Sequence, residues 1–169
     1  ISPHHPFDPP APYSTMYDPN SLHLLPGYTD QPLLFDSNFG SSPIHPDKID
    51  EKDIRAMLAS YYGMIFEIDN GIGTILQKLK EKGLYDNTMI VFTSDHGDYM
   101  SYHHMMLKGR HLYDPLIKIP LIVKYPGQQA AGQTDSFLSE NIDVAPTVLE
   151  LCGQPIPPTM QGRSLLGND

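Results

Sequence analysis

Ten of the 17 prolines fall within residues 1–48, and residues 47–114 contain none. Proline lacks a backbone donor, fixes its own φ and pushes the preceding residue toward extended backbone. Pro6, Pro9, Pro10 and Pro12 therefore argue against both a regular helix and a central strand in the opening stretch. Yet Phe7, Tyr13, Tyr17, Leu24, Leu25, Leu33, Leu34 and Phe35 make it too apolar for a simple disordered tail. Residues 1–48 read as an irregular segment draped over a larger body formed by residues 49–169.

From Asp50 the apolar residues recur at helical spacing: Ile54, Leu58, Tyr61, Ile65, Ile68, Ile72, Ile75 and Leu79. The spacing predicts one long amphipathic helix. Asp50 suits its N-cap, Asp53 its first turn, Lys78, Lys80 and Lys82 its negative C-terminal end, and Gly83 its stop. Gly63, Gly71 and Gly73 cost the interior up to ~1 kcal/mol each relative to Ala, which implies close packing or a bend. Thr88–Thr93 and Ile119–Tyr125 are short runs rich in strand formers and read as buried strands. Asp143 suits the cap of a second helix, with Pro146 in its first turn and Gly153 closing it. Helix, strand, loop, strand, helix is the order of an α/β sandwich.

With 169 residues, 40% of them hydrophobic, the chain can bury one modest core. A net charge of −9 with 11 Lys and Arg argues against a nucleic-acid-binding stripe. No apolar run approaches the ~20 residues that span a bilayer, so no membrane partner is expected. The chain begins at Ile1, and we expect residues to precede it in the gene product, which leaves localisation open. Cys152 is the single cysteine. An internal disulfide and a cysteine-based zinc site are thereby excluded, and its apolar context reads as that of a small buried hydrophobe.

The chemistry concentrates in one stretch. Thr93-Ser94-Asp95-His96-Gly97-Asp98 puts a carboxylate and an imidazole where a strand ends, the position at which open α/β sheets hold ligands. Asp95 can offer oxygen to a hard divalent cation and His96 can add nitrogen; an Asx-type turn at Asp95 is an equal alternative for so short a motif. His103, His104, Lys108, Arg110, His111 and Asp114 follow closely, and four of the eight histidines lie between 96 and 111. A lysine beside a metal gives a tetrahedral anion a compact positive charge. His4, between Pro3 and His5-Pro6, is held in extended backbone.

These pieces, in this order, resemble the sulfatase family of the alkaline phosphatase-like superfamily. The resemblance runs from Pro3-His4-His5-Pro6-Phe7 and Tyr17-Asp18-Pro19 through the helix with Tyr61, Asp69 and Gly73. It continues through Asp86-Asn87-Thr88, Ser94-Asp95-His96-Gly97, Leu107-Lys108-Gly109, Ile119-Pro120-Leu121-Ile122, Asp143-Val144-Ala145-Pro146-Thr147 and Gly162-Arg163-Ser164-Leu165. It implies part of an α/β sandwich with a mostly parallel sheet flanked by helices. It implies that Asp95 and His96 bind a calcium, magnesium or manganese ion, and that Lys108 and His4 touch the sulfate. His111 is a further substrate contact, and relatives often carry Asp-His-Gly where this chain reads Tyr102-His103-His104.

The family's upstream aspartate pair and its Cys-x-Pro/Ala-x-Arg motif, whose cysteine becomes the formylglycine nucleophile, are not in this sequence. Cys152, followed by Gly153-Gln154-Pro155, does not match that motif. The resemblance therefore implies the C-terminal part of a sulfatase catalytic domain, inactive alone, acting in its parent on a sulfated small molecule or glycan. Two alternatives stand beside it: a phosphonate monoester or phosphodiester hydrolase of the same superfamily, and a non-catalytic truncated module. Self-association, or pairing with the missing half, would cover the strand edges such a piece exposes.

Overall fold

The computed structural model describes residues 2–29, 48–128 and 131–166, which divide into two compact units, one within residues 1–129 and one within 130–169.

The first unit is organised on α1 (Glu51–Glu81). Its start is dictated locally: the Asp50 carboxylate accepts the Asp53 amide at 2.9 Å, and the Asp53 carboxylate returns the bond to the Asp50 amide at 3.3 Å. This reciprocal pair satisfies two amides that the helix cannot use itself. Lys78 and Lys80 occupy the last turn, and Gly83 leaves it at φ +66°.

Ile54, Leu58, Ala59, Gly63 and Met64 are buried. Beyond them the predicted stripe opens to solvent, with Ile65 exposed and Ile75 62% exposed. The residues before α1 cover its N-terminal half. Phe7 meets Tyr61 edge-on with ring centroids 5.6 Å apart, and Tyr17 lies 5.6 Å from Tyr62. The Arg55 guanidinium bonds the Leu22 carbonyl. A Cβ on Gly63 would stand 2.5 Å from the Tyr13 carbonyl oxygen, so this glycine is what lets the irregular segment lie on the helix. Gly71 and Gly73 have nothing so close.

β1 (Ile90–Thr93) pairs with β2 (Leu121–Lys124), with Phe92 opposite Ile122. The pairing is antiparallel, so the sheet among the described residues is a two-stranded antiparallel pair and not the mostly parallel sheet that the resemblance implies for the domain. Residues 94–120 connect them through a loop and the short α2 (Asp114–Ile117), without the packed crossover helix that returns a chain parallel to itself. Neither strand is buried: Phe92 is 40% and Ile122 63% exposed on the same face. Runs apolar on both faces call for cover on both, and the described residues cover this pair incompletely. The Lys124 ammonium lies 4.4 Å from the Tyr85 ring centroid and bonds the carbonyls of Tyr85 and, at 3.0 Å, Thr88.

In the second unit a 3-10 turn (Asn141–Asp143) runs into α3 (Val144–Leu151), closed at Gly153 with φ +66°. Asp143 does not cap α3 with its side chain. Its buried carboxylate instead accepts the amides of Glu140 and Arg163, both at 2.9 Å. The Thr147 hydroxyl donates to the Asp143 carbonyl at 2.6 Å and accepts the Leu165 amide at 2.9 Å, tying the segment at Leu165 to the helix. Cys152 is exposed, against the expected burial.

Candidate functional site

The site grows from the end of β1. Gly97 donates its amide to the Leu116 carbonyl at 2.8 Å, and a Cβ on it would stand 2.0 Å from the Pro115 carbonyl oxygen. No side chain fits there without displacing α2. The chain is thereby turned so that Asp95 and His96 project together at the strand's carboxyl end.

The Asp95 carboxylate accepts the His96 amide on Oδ1 at 2.9 Å, while Oδ2 stands 3.7 Å from His96 Nε2. The local turn bond therefore leaves the second carboxylate oxygen beside the His96 ring. The His96 amide, above all, holds the Asp95 carboxyl below its ordinary range; desolvation opposes it, and the His96 ring and the Lys108 ammonium add smaller pulls in the same downward direction. His96 Nδ1 lies 2.7 Å from the Gly97 carbonyl oxygen. A carbonyl only accepts, so Nδ1 carries a proton, and Nε2 is the nitrogen turned toward Asp95. Ligating histidines are commonly fixed in this way. Two donors 3.7 Å apart can share a hard cation with bonds of about 2.0–2.6 Å. Among the described residues, no third His, Cys, Asp or Glu completes a metal-holding group with them.

The Lys108 ammonium is near enough to act electrostatically on Asp95, Asp98 and His5. The His5 imidazole is held below its usual range by desolvation, then by the His4 ring and Lys108. His4 stacks on His5 with centroids 4.1 Å apart, and its Nδ1 lies 2.7 Å from the His5 carbonyl. Phe7, seated on Tyr61, carries this histidine pair toward the lysine. Asp95, His96, Lys108 and the His4–His5 pair thus belong to one neighbourhood.

His111 is held differently. The Tyr99 hydroxyl donates to the His111 carbonyl at 2.8 Å and accepts its amide at 3.1 Å, and the His111 ring stacks 5.7 Å from Tyr113. His103 stacks on Tyr102 at 4.0 Å and meets Tyr113 edge-on at 4.8 Å; buried His104 places Nδ1 2.9 Å from the Thr29 carbonyl. Through Tyr102 and Tyr113, His103 and His111 join the packing around Tyr99, Met105 and Leu116, whereas His104 lies 6.4 Å from the Tyr28 ring.

Asp98 is the residue that sequence reasoning missed. Burial pushes its carboxyl above the ordinary range, against the pull of the Met100 amide, Lys108, His96 and the Leu107 amide. It also raises the Tyr61 phenol, whose main perturbation is its own burial. The sequence signal was the carboxylate directly after Asp-His-Gly, ahead of a run whose burial is not evident from composition.

The sulfatase family model matches residues 1–154. The chain belongs to the sulfatase family. It is 37% identical over 181 residues to the multifunctional alkaline phosphatase superfamily protein PehA of Trinickia caryophylli, covering 97% of this chain and 35% of that protein. It is 33% identical over 177 residues to an arylsulfatase of Clostridium perfringens, covering 98% and 35%. Among solved structures, the phosphonate monoester hydrolase of Silicibacter pomeroyi superposes with a TM-score of 0.82 at 37% identity, covering 98% of this chain and 35% of that one. The phosphonate monoester hydrolase of Agrobacterium radiobacter gives 0.86 at 28% identity, covering 98% and 36%. The backbone is therefore an alkaline phosphatase-like α/β fold. This sulfatase-family chain spans about a third of the length of these relatives.

Proposed function

We propose that the gene product carrying this chain is a metal-dependent hydrolase of phosphonate monoesters or phosphodiesters, with sulfate ester hydrolysis as the second reading. The observation that carries the first reading is the superposition, over 98% of the chain, on two phosphonate monoester hydrolases. Sulfated small molecules or glycans remain the substrates under the second reading, which rests on the family match and the arylsulfatase relative.

In this reading Asp95 and His96 supply two ligands to a calcium, magnesium or manganese ion, and residues outside this chain supply the others. A bound divalent cation would offset charge on the transferred group and favour an ionised nucleophile. The nucleophile expected from the family is a formylglycine hydrate, carried by another part of the gene product. Asp95, held ionised, keeps its oxygens available as ligands. His96 is orientated by Gly97 with Nε2 outward. Lys108 places a positive charge where negative charge builds on the leaving oxygen, and His4, stacked on His5, contacts the tetrahedral group from the opposite side. His111 is a more peripheral substrate contact, reached through the Tyr99–Tyr113 packing. Residues 1–48 and 49–169 are proposed as parts of one catalytic domain, and the 169 residues alone are expected to turn over neither ester.

The test is a comparison of kcat/KM for 4-nitrophenyl phenylphosphonate and 4-nitrophenyl sulfate with the metal-loaded gene product. The first reading predicts the larger value for the phosphonate; a larger value for the sulfate installs the second. Loss of both activities on chelation, restored by the divalent cation, is expected under either.

A further inference from the structure

We propose that Asp98 is the positioning residue for Lys108: its carboxylate fixes the start of the loop from Tyr99 to Leu107, and the bond that closes this loop holds the residue directly before the lysine. The inference rests on the reading that Lys108 contacts the transferred group.

The loop needs such a device. Met100, Ser101, His103, His104 and Leu107 all have positive φ, between 41° and 77°, and none is glycine. Left-handed backbone is unfavourable for each of them and persists only where surrounding structure holds it. Part of that hold is internal. Tyr99 donates its amide to the Leu107 carbonyl at 2.7 Å, and Ser101 donates to Met105 at 2.8 Å, so the segment closes on itself. Its side chains are buried almost throughout, including Tyr99, Met100, Met105, Met106 and Leu107. Methionine packing alone fixes direction poorly, because the side chain is unbranched and adaptable.

Asp98 supplies the missing direction. Its Oδ1 accepts the Met100 amide at 3.0 Å, which fixes the turn at Tyr99. The Tyr99 amide in turn holds the Leu107 carbonyl at 2.7 Å, and Leu107 lies directly before Lys108. Asp98 thereby sets the start of the loop, and the Tyr99–Leu107 bond passes that setting to the residue that precedes the lysine.

The test is a double-mutant cycle in the whole gene product, on whichever ester the unsubstituted protein hydrolyses, combined with amide hydrogen exchange. Asp98→Asn keeps the shape but replaces one acceptor oxygen with a donor. If Asp98 acts through Lys108, the substitution lowers kcat roughly 10- to 100-fold with KM altered less than about threefold. In a Lys108→Ala background the same substitution changes kcat less than about twofold. An equal factor in both backgrounds overturns the proposal.

Exchange needs no substrate. In the unsubstituted protein the Tyr99 and Met100 amides should exchange at least about a hundredfold more slowly than those of exposed Arg110 and Leu112. Asp98→Asn should remove much of that protection. Unprotected amides at Tyr99 and Met100 overturn the proposal even if the variant does not fold. A preference for the sulfate ester would overturn only the substrate reading and leave the cycle intact.

Discussion

Gly97 lies against the carbonyl of Pro115 so closely that a Cβ would stand 2.0 Å from its oxygen, and this contact aims Asp95 and His96. Gly97→Ala must push α2 away or unwind the strand end. We expect a loss of roughly 1–3 kcal/mol in stability, as for other overpacked sites. Hydrolysis should fall by about a hundredfold, since displacements near 1 Å in a positioned site cost that much. Chemical denaturation and steady-state kinetics check the two effects. Wild-type stability with wild-type turnover would show that the close approach has no bearing on the site.

Gly63 and Gly71 lie on the same helix and should respond in opposite directions. A Cβ on Gly63 meets the Tyr13 carbonyl at 2.5 Å, so Gly63→Ala should cost about 1–3 kcal/mol by lifting the proline-rich segment off α1. Gly71 has nothing within 4 Å, and Gly71→Ala should stabilise this chain by up to about 1 kcal/mol through helix propensity. Thermal unfolding of the two variants reads both signs.

The difference between these glycines also marks what the sequence could and could not disclose. Three glycines in one helix signal packing or bending, but only the fold identifies Gly63 as the one that is covered. The Asp50–Asp53 cap and the Gly83 stop were legible because their partners lie within a few residues. The burial of β1 and β2 was not, because cover is non-local, and Phe92 and Ile122 carry the same letters whether covered or bare. Asp143 looked like a cap and spends its carboxylate on Glu140 and Arg163 instead, the latter twenty residues downstream. Asp95, His96 and Lys108 stood out because their motifs are compact. Asp98 did not, since its importance depends on the left-handed backbone of the loop that follows it.

Asp98 gives the apoprotein a pH signature with a definite sign. Its folded-state carboxyl sits above the ordinary value of 3.8, so the folded form binds the proton more tightly. That contribution is fully present below pH 3.8 and is lost as pH rises through the raised value. Asp98→Asn cannot titrate. The Tm of the unsubstituted protein minus that of the variant, measured with chelator present, should therefore fall as pH rises from 3.8. A difference that is flat or rises over that interval would place Asp98 in a far more solvated setting.

The Gly97 carbonyl fixes which nitrogen His96 offers. His96→Gln removes the Nε2 atom that faces Asp95, and affinity for the divalent cation should drop roughly 10- to 100-fold or more. Calorimetric titration of the gene product with calcium, magnesium and manganese measures it directly. Unchanged affinity for all three would remove His96 from the ligand set.

Lys108 tests the account most directly, because the proposed function gives its charge the task of stabilising the group that Asp95 and His96 would hold through the cation. The decisive measurement is kcat of the Lys108→Ala gene product on 4-nitrophenyl phenylphosphonate at full metal loading. We predict a fall of about 100- to 1,000-fold, the size of losing one preorganised charge at a developing oxyanion. A kcat within about threefold of the unsubstituted protein, with metal content unchanged, would contradict the assignment of this site.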